Sequence, residues 1–122
     1  MKTSIAKRFD FDAAHRLPHV PDGHKCKRMH GHTYVVEVVL TGEIEVDGPN
    51  QGMLVDYADL AKAWEPVHAI LDHRVLNDIE GLDNPTTEVL APFIWNMLVD
   101  ALPLLSAVRV FESATTWCEV TG

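Results

Sequence analysis

The densest group of reactive side chains runs from Cys26 to His32, where one thiol and two imidazoles fall within seven residues. His30 and His32 are two positions apart, so in a β-strand both imidazoles point to the same face of a sheet. Two imidazoles on one face supply half of a tetrahedral metal site. The spacing therefore predicts a metal centre, provided that another element adds a ligand.

A predicted strand over residues 4–16 supplies the candidate third ligand, because its alternating apolar face continues to His15. A second predicted strand, residues 33–41, has an apolar face with the same parity as His30 and His32. Both strands thus present histidine at the end of a buried face, which favours a zinc site with three protein ligands and an open fourth position. The alternative is three unconnected histidines, one of them a core residue.

Cys26 is surrounded by the cations Lys25, Lys27 and Arg28. Nearby positive charge favours a thiolate, which would suit Cys26 to act as a nucleophile or a base. The alternative is a loop cysteine without a role. Cys118 falls in a predicted final strand and is interpreted as a small buried residue. Because the sequence shows no secretory signal, we expect two free thiols and no disulfide.

Asp72 and His73 follow a predicted helix that begins after the N-cap residue Asp56. A carboxylate beside an imidazole can orient and charge it as a proton relay. That role requires non-helical backbone, since adjacent side chains on a helix point away from each other. The alternative is that the two residues are simply charged groups at the end of the helix. Within this helix we expect Pro66 to cause a kink or to weaken the middle, and we expect His68, on the apolar stripe, to be structural.

Glu112 continues the face of two valines in a predicted strand, Val108 and Val110. A carboxylate there needs a partner, because burying it unpaired is costly. The partner is either Arg109 or a ligand with paired N–H donors.

The remaining pattern indicates the fold class. Residues 53–55 predict a short strand, a second helix begins near Thr86 and ends at Pro103, and residues 107–113 and 115–120 predict two final strands. The order β-β-(β)-α-α-β-β indicates an α+β fold in which two helices cover one face of an antiparallel sheet.

Composition limits the function classes. The 122 residues predict a single domain, 1–122, and the formal net charge of −8 disfavours nucleic acid and anionic membranes as partners. No apolar run approaches the ~20 residues of a membrane helix. Charges interrupt residues 1–11, which argues against a signal peptide, so we expect a cytoplasmic protein.

The candidate residues belong to a series of motifs, in the order Ala13-Ala14-His15-Arg16-Leu17, Cys26-x-x-x-His30-Gly31-His32, Gly52-Met53-Leu54-Val55-Asp56-Tyr57, Leu71-Asp72-His73, Asn84-Pro85-Thr86-Thr87-Glu88 and Glu112. Over residues 9–112 this series resembles the 6-pyruvoyl-tetrahydropterin synthase family. The three residues between Cys26 and His30 are similar to the spacing of the bacterial carboxy-forming branch of queuosine biosynthesis. Pyruvoyl-forming members place their cysteine further from the histidine pair.

The resemblance implies a tunnelling fold, in which sheets of several subunits close into a barrel with the helices outside. It implies a homo-oligomer, usually a hexamer built as a dimer of trimers, with active sites at subunit interfaces. The site residues it implies are His15, His30 and His32 on Zn²⁺, Cys26, Asp72 and His73 in proton transfer, Glu112 on the pterin ring, and Thr86, Thr87 and Glu88 lining the pterin pocket of a neighbour.

The implied reaction converts 7,8-dihydroneopterin triphosphate to 6-carboxy-5,6,7,8-tetrahydropterin with release of acetaldehyde and triphosphate. On charge alone, we expect Lys25, Lys27 and Arg28 to receive the triphosphate. Two alternatives remain open. One is a pyruvoyl-forming or other side-chain-cleaving pterin enzyme, and the other is a zinc-binding assembly module without catalysis.

Overall fold

The computed structural model describes residues 1–122 and contains a five-stranded sheet with two α-helices. The elements are β1 (Thr3–His15), β2 (His30–Gly42), α1 (Tyr57–Leu71), β3 (Arg74–Val75), α2 (Thr87–Leu98), β4 (Leu105–Phe111) and β5 (Trp117–Thr121). The strand order is β3-β1-β2-β4-β5, and every neighbouring pair is antiparallel except β3 and β1. The predicted α+β class is confirmed. Neither helix is long and apolar enough to cross a membrane.

β1 and β2 pair along their whole length and position the histidines. His15 lies opposite His30, and Ala13 lies opposite His32. The register contains no bulge, so the apolar face of β1 continues from the buried Phe11 to His15, as the alternation predicts. The three histidines therefore meet at one end of the sheet.

Helix α1 begins where predicted, because the Asp56 carboxylate accepts a hydrogen bond from the Ala58 N–H at 2.9 Å. Its buried residues are Leu60, Trp64, Val67 and Leu71. Pro66 lies on the exposed side, and the helix is continuous from Tyr57 to Leu71. The prediction for His68 was wrong: Val67 takes the buried position and 47% of the His68 side chain is exposed.

Helix α2 is capped by Thr86, whose hydroxyl accepts from the Val89 N–H at 3.2 Å. It ends at Leu98, five residues before Pro103, so the predicted end was too late. Its buried face packs on β4 and β5, and together with α1 it covers one side of the sheet.

Two short segments differ from the prediction. Residues 53–55 form no strand: Leu54 is buried, but the local backbone contact is a hydrogen bond from the Glu45 N–H to the Met53 carbonyl. β3 was not predicted, because its two residues carry no alternation. It pairs with Ala13 and Ala14 and brings the end of α1 against β1.

Candidate active site

The three histidines form a cluster at the end of β1 and β2. One nitrogen of each of His15, His30 and His32 lies within 4.8 Å of the others. The convergence expected from strand parity is thus observed. His15 is 1% exposed, whereas His30 and His32 are partly exposed, so the cluster opens to solvent on the β2 side.

Main-chain carbonyls fix the orientation of two imidazoles. His15 donates from Nδ1 to the Pro85 carbonyl at 2.8 Å, and His30 donates from Nδ1 to the Arg28 carbonyl at 2.7 Å. Because Nδ1 carries the proton in each ring, Nε2 presents a lone pair. A carbonyl behind a histidine is the usual outer support of a metal ligand.

The electrostatics of the cluster fit a divalent cation. Burial lowers the pKa of both His15 and His32, so both imidazoles are neutral near pH 7. Their Nε2 atoms are buried and have no hydrogen-bond partner. Neutral imidazoles with buried, unpartnered lone pairs are the donors that zinc and similar metals bind.

Glu112 faces the cluster from the end of β4. Its Oε1 atom lies 3.4 Å from Nε2 of both His15 and His32, without hydrogen-bond geometry to either ring. Of the two partners proposed for this carboxylate, Arg109 is wrong. The Arg109 guanidinium lies on the opposite face of the sheet, paired with Glu119 at 2.6 Å. Glu112 therefore remains available to a metal or a ligand.

Cys26 lies beside the cluster in a single 3₁₀ turn, Lys25–Lys27. The turn is capped by His24, whose Nδ1 accepts from the Cys26 N–H at 3.1 Å. A pocket of about 430 Å³ lies there, within the size range of ligand sites. Its lining residues are Lys25, Cys26, Arg28, Met29, His30, His32 and Glu112. Cys26 and two histidines of the cluster thus share one pocket.

Asp72 and His73 form a hydrogen-bonded pair just beyond α1. The backbone leaves the helix at Asp72, and His73 has a φ of 57°, a conformation that is uncommon for histidine. The His73 Nδ1–H donates to the Asp72 carboxylate at 2.7 Å. The non-helical backbone that a proton relay requires is therefore present.

Asp12 holds this pair in place. Its N–H donates to the Asp72 carboxylate at 3.0 Å, and its carbonyl accepts from the His73 N–H at 2.6 Å. The Asp12 N–H and then His73 lower the pKa of Asp72, whereas the Asp72 hydrogen bond and charge raise the pKa of His73. His73 is thus held as a proton donor on an ionised carboxylate.

Within one chain, His73 and Cys26 line different pockets. His73 lines an open pocket with Asp12, Arg74 and residues of the sheet face away from the helices. His32 borders both pockets. The chain therefore brings Cys26 to the histidine cluster but leaves His73 at a second surface.

The predicted pterin-pocket residues 86–88 lie near the histidine cluster, but two of their hydroxyls already make local hydrogen bonds. Thr86 uses its hydroxyl to cap α2, and the Thr87 hydroxyl donates to Glu88 at 2.8 Å. These residues follow Pro85, so they adjoin the His15 side of the cluster. Cys118 is half-buried in β5, where burial raises the pKa of its thiol and keeps it protonated.

Three contributors to the site were not predicted from the sequence: the Pro85 carbonyl, the Asp12 main chain and the Tyr34 hydroxyl. Tyr34 is buried and its hydroxyl lies 3.3 Å from His15 Nδ1. Its signal was present, since it continues the face of His30 and His32. The two main-chain groups give no side-chain signal.

Comparisons with known proteins cover nearly all of the chain. The family model described as 6-pyruvoyl tetrahydropterin synthase matches residues 4–122. A 6-carboxy-5,6,7,8-tetrahydropterin synthase from Synechocystis sp. is 41% identical over 115 residues, which cover 92% of this chain and 88% of the relative. A dihydroneopterin monophosphate aldolase from Pyrococcus furiosus is 40% identical over 103 residues, covering 84% of this chain and 81% of the relative.

The same likeness extends to solved structures. The Caenorhabditis elegans 6-pyruvoyl tetrahydropterin synthase superposes with a TM-score of 0.88 at 29% identity, covering 100% of this chain and 96% of that one. The expected tunnelling-fold subunit is thus confirmed, and the matched region contains all of the candidate site residues.

Proposed function

The chain belongs to the 6-pyruvoyl tetrahydropterin synthase family, and from that membership we propose that it is a zinc-dependent lyase of pterin side chains. The reaction takes 7,8-dihydroneopterin triphosphate and water to 6-carboxy-5,6,7,8-tetrahydropterin, acetaldehyde and triphosphate. Its setting is the cytoplasmic pathway to queuosine. The carboxy-forming name of the Synechocystis relative and the three-residue gap between Cys26 and His30 both support this branch.

The observation that carries the proposal is the shared pocket of Cys26 and the histidine cluster. A side chain bound there lies beside both Cys26 and His32, whose buried Nε2 atom has no hydrogen-bond partner. His15, His30 and His32 would hold the zinc ion. When bound, zinc supplies Lewis acidity to the oxygens of the substrate side chain and so acidifies the adjacent C–H bonds.

Cys26 removes a proton from the activated carbon. Cys26 lies in the turn that lines the pocket with His30 and His32, so a substrate side chain bound there is within reach of its sulfur. Glu112 accepts hydrogen bonds from the N–H groups of the pterin ring, because a carboxylate matches two parallel donors. Because Glu112 lies next to His15 and His32, a ring held by this carboxylate would lie near the histidines that would hold the metal.

Asp72 and His73 return the proton, and we propose that they do so in the active site of a neighbouring subunit. Two observations support this arrangement: the hydrogen bond to Asp72 raises the pKa of His73, and His73 lies at a pocket that Cys26 does not line. A second copy that covers the pocket would bring its Cys26 and this His73 together.

Two free sheet edges support the assembly of several copies. The outer edge of β1 has no strand partner over residues 3–11, and β5 has none beyond it. β1 and β5 run in opposite directions, so β5 of one copy can pair with β1 of the next and continue the antiparallel order. We propose a barrel closed in this way, within a dimer of trimers.

A second candidate is an aldolase that acts on a pterin monophosphate, which the name of the Pyrococcus furiosus relative favours. An aldolase would break a carbon–carbon bond and leave the phosphate on the released aldehyde. A pyruvoyl-forming enzyme would release triphosphate without any aldehyde. A metal-binding module would turn over neither substrate.

One experiment separates these readings. The purified protein is incubated separately with dihydroneopterin triphosphate and dihydroneopterin monophosphate, and the pterin, aldehyde and phosphate products are identified on a sample of known metal content. We expect carboxypterin and acetaldehyde in equal amounts, and Cys26→Ala should abolish both while retaining the metal. Triphosphate release without acetaldehyde would refute the carboxy-forming reaction.

A further inference from the structure

The basic turn at the pocket contains three cations whose surroundings differ. Lys27 is already neutralised: its ammonium lies 2.6 Å from the Asp22 carboxylate and 3.3 Å from the Val20 carbonyl. These contacts tie the preceding loop to the turn. Lys27 is therefore a structural cation, and a ligand would have to compete with Asp22 for it.

Lys25 and Arg28 have no such partner. Both side chains are exposed, neither takes part in any ion pair of the chain, and both line the pocket that contains Cys26. In a chain with a net charge of −8, two unpaired cations on one pocket are a local exception. They can attract an anion that the rest of the surface repels.

The main chain holds these two residues against the metal site. The Arg28 carbonyl accepts from His30 Nδ1 at 2.7 Å, and the Arg28 N–H donates to the Lys25 carbonyl at 3.2 Å. Lys25 and Arg28 thus flank Cys26 on a turn whose position is fixed relative to a metal ligand. Such fixed anchoring favours a binding role over general solubility.

We propose that Lys25 and Arg28 form an oligophosphate subsite at the mouth of the pocket, and that Lys27 takes no part in it. Arginine binds phosphate oxygens through two parallel N–H donors, and lysine adds a compact charge. The carboxylate of the pocket, Glu112, lies against His15 and His32, so the phosphate chain extends away from it. This inference rests on the proposed function only in assigning the bound phosphate chain to a pterin ester. The binding of phosphate by Lys25 and Arg28 is tested independently of the pterin.

The subsite gives a reason for the site to distinguish triphosphate from monophosphate esters. A single phosphate can engage both cations only in one arrangement, whereas a chain of phosphates can contact the two at different oxygens. Lys25 and Arg28 therefore favour the longer phosphate chain. Replacing them should reduce the difference in affinity between triphosphate and monophosphate esters.

The test uses inorganic tripolyphosphate and inorganic phosphate as probes on the metal-loaded protein, by calorimetry, with metal content measured afterwards. Lys25→Gln and Arg28→Gln should each weaken tripolyphosphate binding about tenfold, since a hydrogen bond to a charged group is lost. Lys27→Gln keeps an amide donor for Asp22 and Val20 and should stay within about twofold of the parent. Lys25→Arg should restore most of the affinity lost in Lys25→Gln.

Two results would overturn the subsite: equal weakening by Lys27→Gln, or unchanged binding in both of the other variants. Circular dichroism and Tm identify any variant that fails to fold, and Arg28→Lys then replaces Arg28→Gln. Unphosphorylated dihydroneopterin is titrated in parallel. If it does not bind while tripolyphosphate does, the pterin proposal fails and the phosphate subsite stands.

Discussion

The Nδ1 atom of His15 lies 2.8 Å from the carbonyl oxygen of Pro85, 70 residues further along the chain. This hydrogen bond joins the end of β1 to the segment that starts α2. It fixes the tautomer of the most buried histidine of the cluster and places the predicted substrate residues, which begin at Thr86, beside that histidine. The histidine cluster and the start of α2 are thus parts of one structural unit.

The first prediction concerns metal binding. His15→Ala or His32→Ala should reduce the bound metal from about one ion per chain to a small fraction, because removing one of three protein ligands leaves too few donors. Metal addition should also raise the Tm of the parent but not of these variants. Elemental analysis and thermal unfolding measure both effects.

The matched control is His19→Ala, because His19 is an exposed loop histidine outside the cluster. It should retain the metal and the metal-dependent rise in Tm. Loss of metal in His19→Ala, or full retention in His15→Ala, would contradict the assignment.

The second prediction separates two roles of Thr86. Its hydroxyl caps α2, so Thr86→Ala should lower the free energy of unfolding by about 1 kcal/mol. Thr86→Ser keeps the oxygen and should stay close to the parent. Chemical denaturation measures the difference. A Thr86→Ala variant of unchanged stability would argue that the hydroxyl serves the substrate alone.

The histidine cluster could be predicted from the sequence because strand parity is a strict rule. His15 follows Phe11 and Ala13 on one face, and a single bulge would have moved it to the other. Because the register of β1 and β2 is continuous, His15 stays on the predicted face and the predicted cluster is observed. The apolar stripe of α1 was less reliable, because it indicated a structural role for His68, whereas the observed helix orientation buries Val67 instead.

Other features depend on contacts between distant parts of the chain. β3 is two residues long and exists because Asp12 accepts the His73 N–H and Ala13 and Ala14 pair next to it. From the local sequence, Asp72 and His73 were more simply interpreted as charged residues at the end of a helix. The contacts of this segment with β1 give it the non-helical backbone in which the two side chains form a hydrogen bond. The neighbours of Glu112, His15 and His32, also could not be predicted from the local sequence, because they depend on which strands pair in the sheet.

The third prediction concerns pH. His73 has a raised pKa, so its stabilising contact with Asp72 is fully present below its ordinary value of 6.5 and is lost as pH rises through the raised value. Asp72 has a lowered pKa, so its contribution is present above 3.8 and is lost as pH falls through the lowered value. The pair therefore contributes most between these two ordinary values.

Asp72→Asn keeps an oxygen for the Asp12 N–H but removes the charge. Its loss of stability relative to the parent should be larger at pH 5.5 to 6 than at pH 9, and the pKa of His73 should fall toward 6.5. Denaturation at several pH values and an NMR titration measure the two effects. Asp100→Asn, at an exposed carboxylate outside this pair, is the control. An equal loss at all pH values would show that the charge of Asp72 is not responsible.

The fourth prediction tests whether each active site draws on two subunits. Cys26→Ala and His73→Ala should each lack turnover, because one removes the proton acceptor and the other the proton donor. If Cys26 of one copy works with His73 of the next, subunits mixed by unfolding and joint refolding should regain up to about a quarter of the parent turnover, since random pairing leaves that share of interfaces intact. Separately refolded variants, combined only afterwards, are the control and should stay inactive. If the jointly refolded mixture is also inactive while its oligomeric state and metal content match the parent, then Cys26 and His73 must act within one chain. The substrate would then have to span the two pockets that His32 borders.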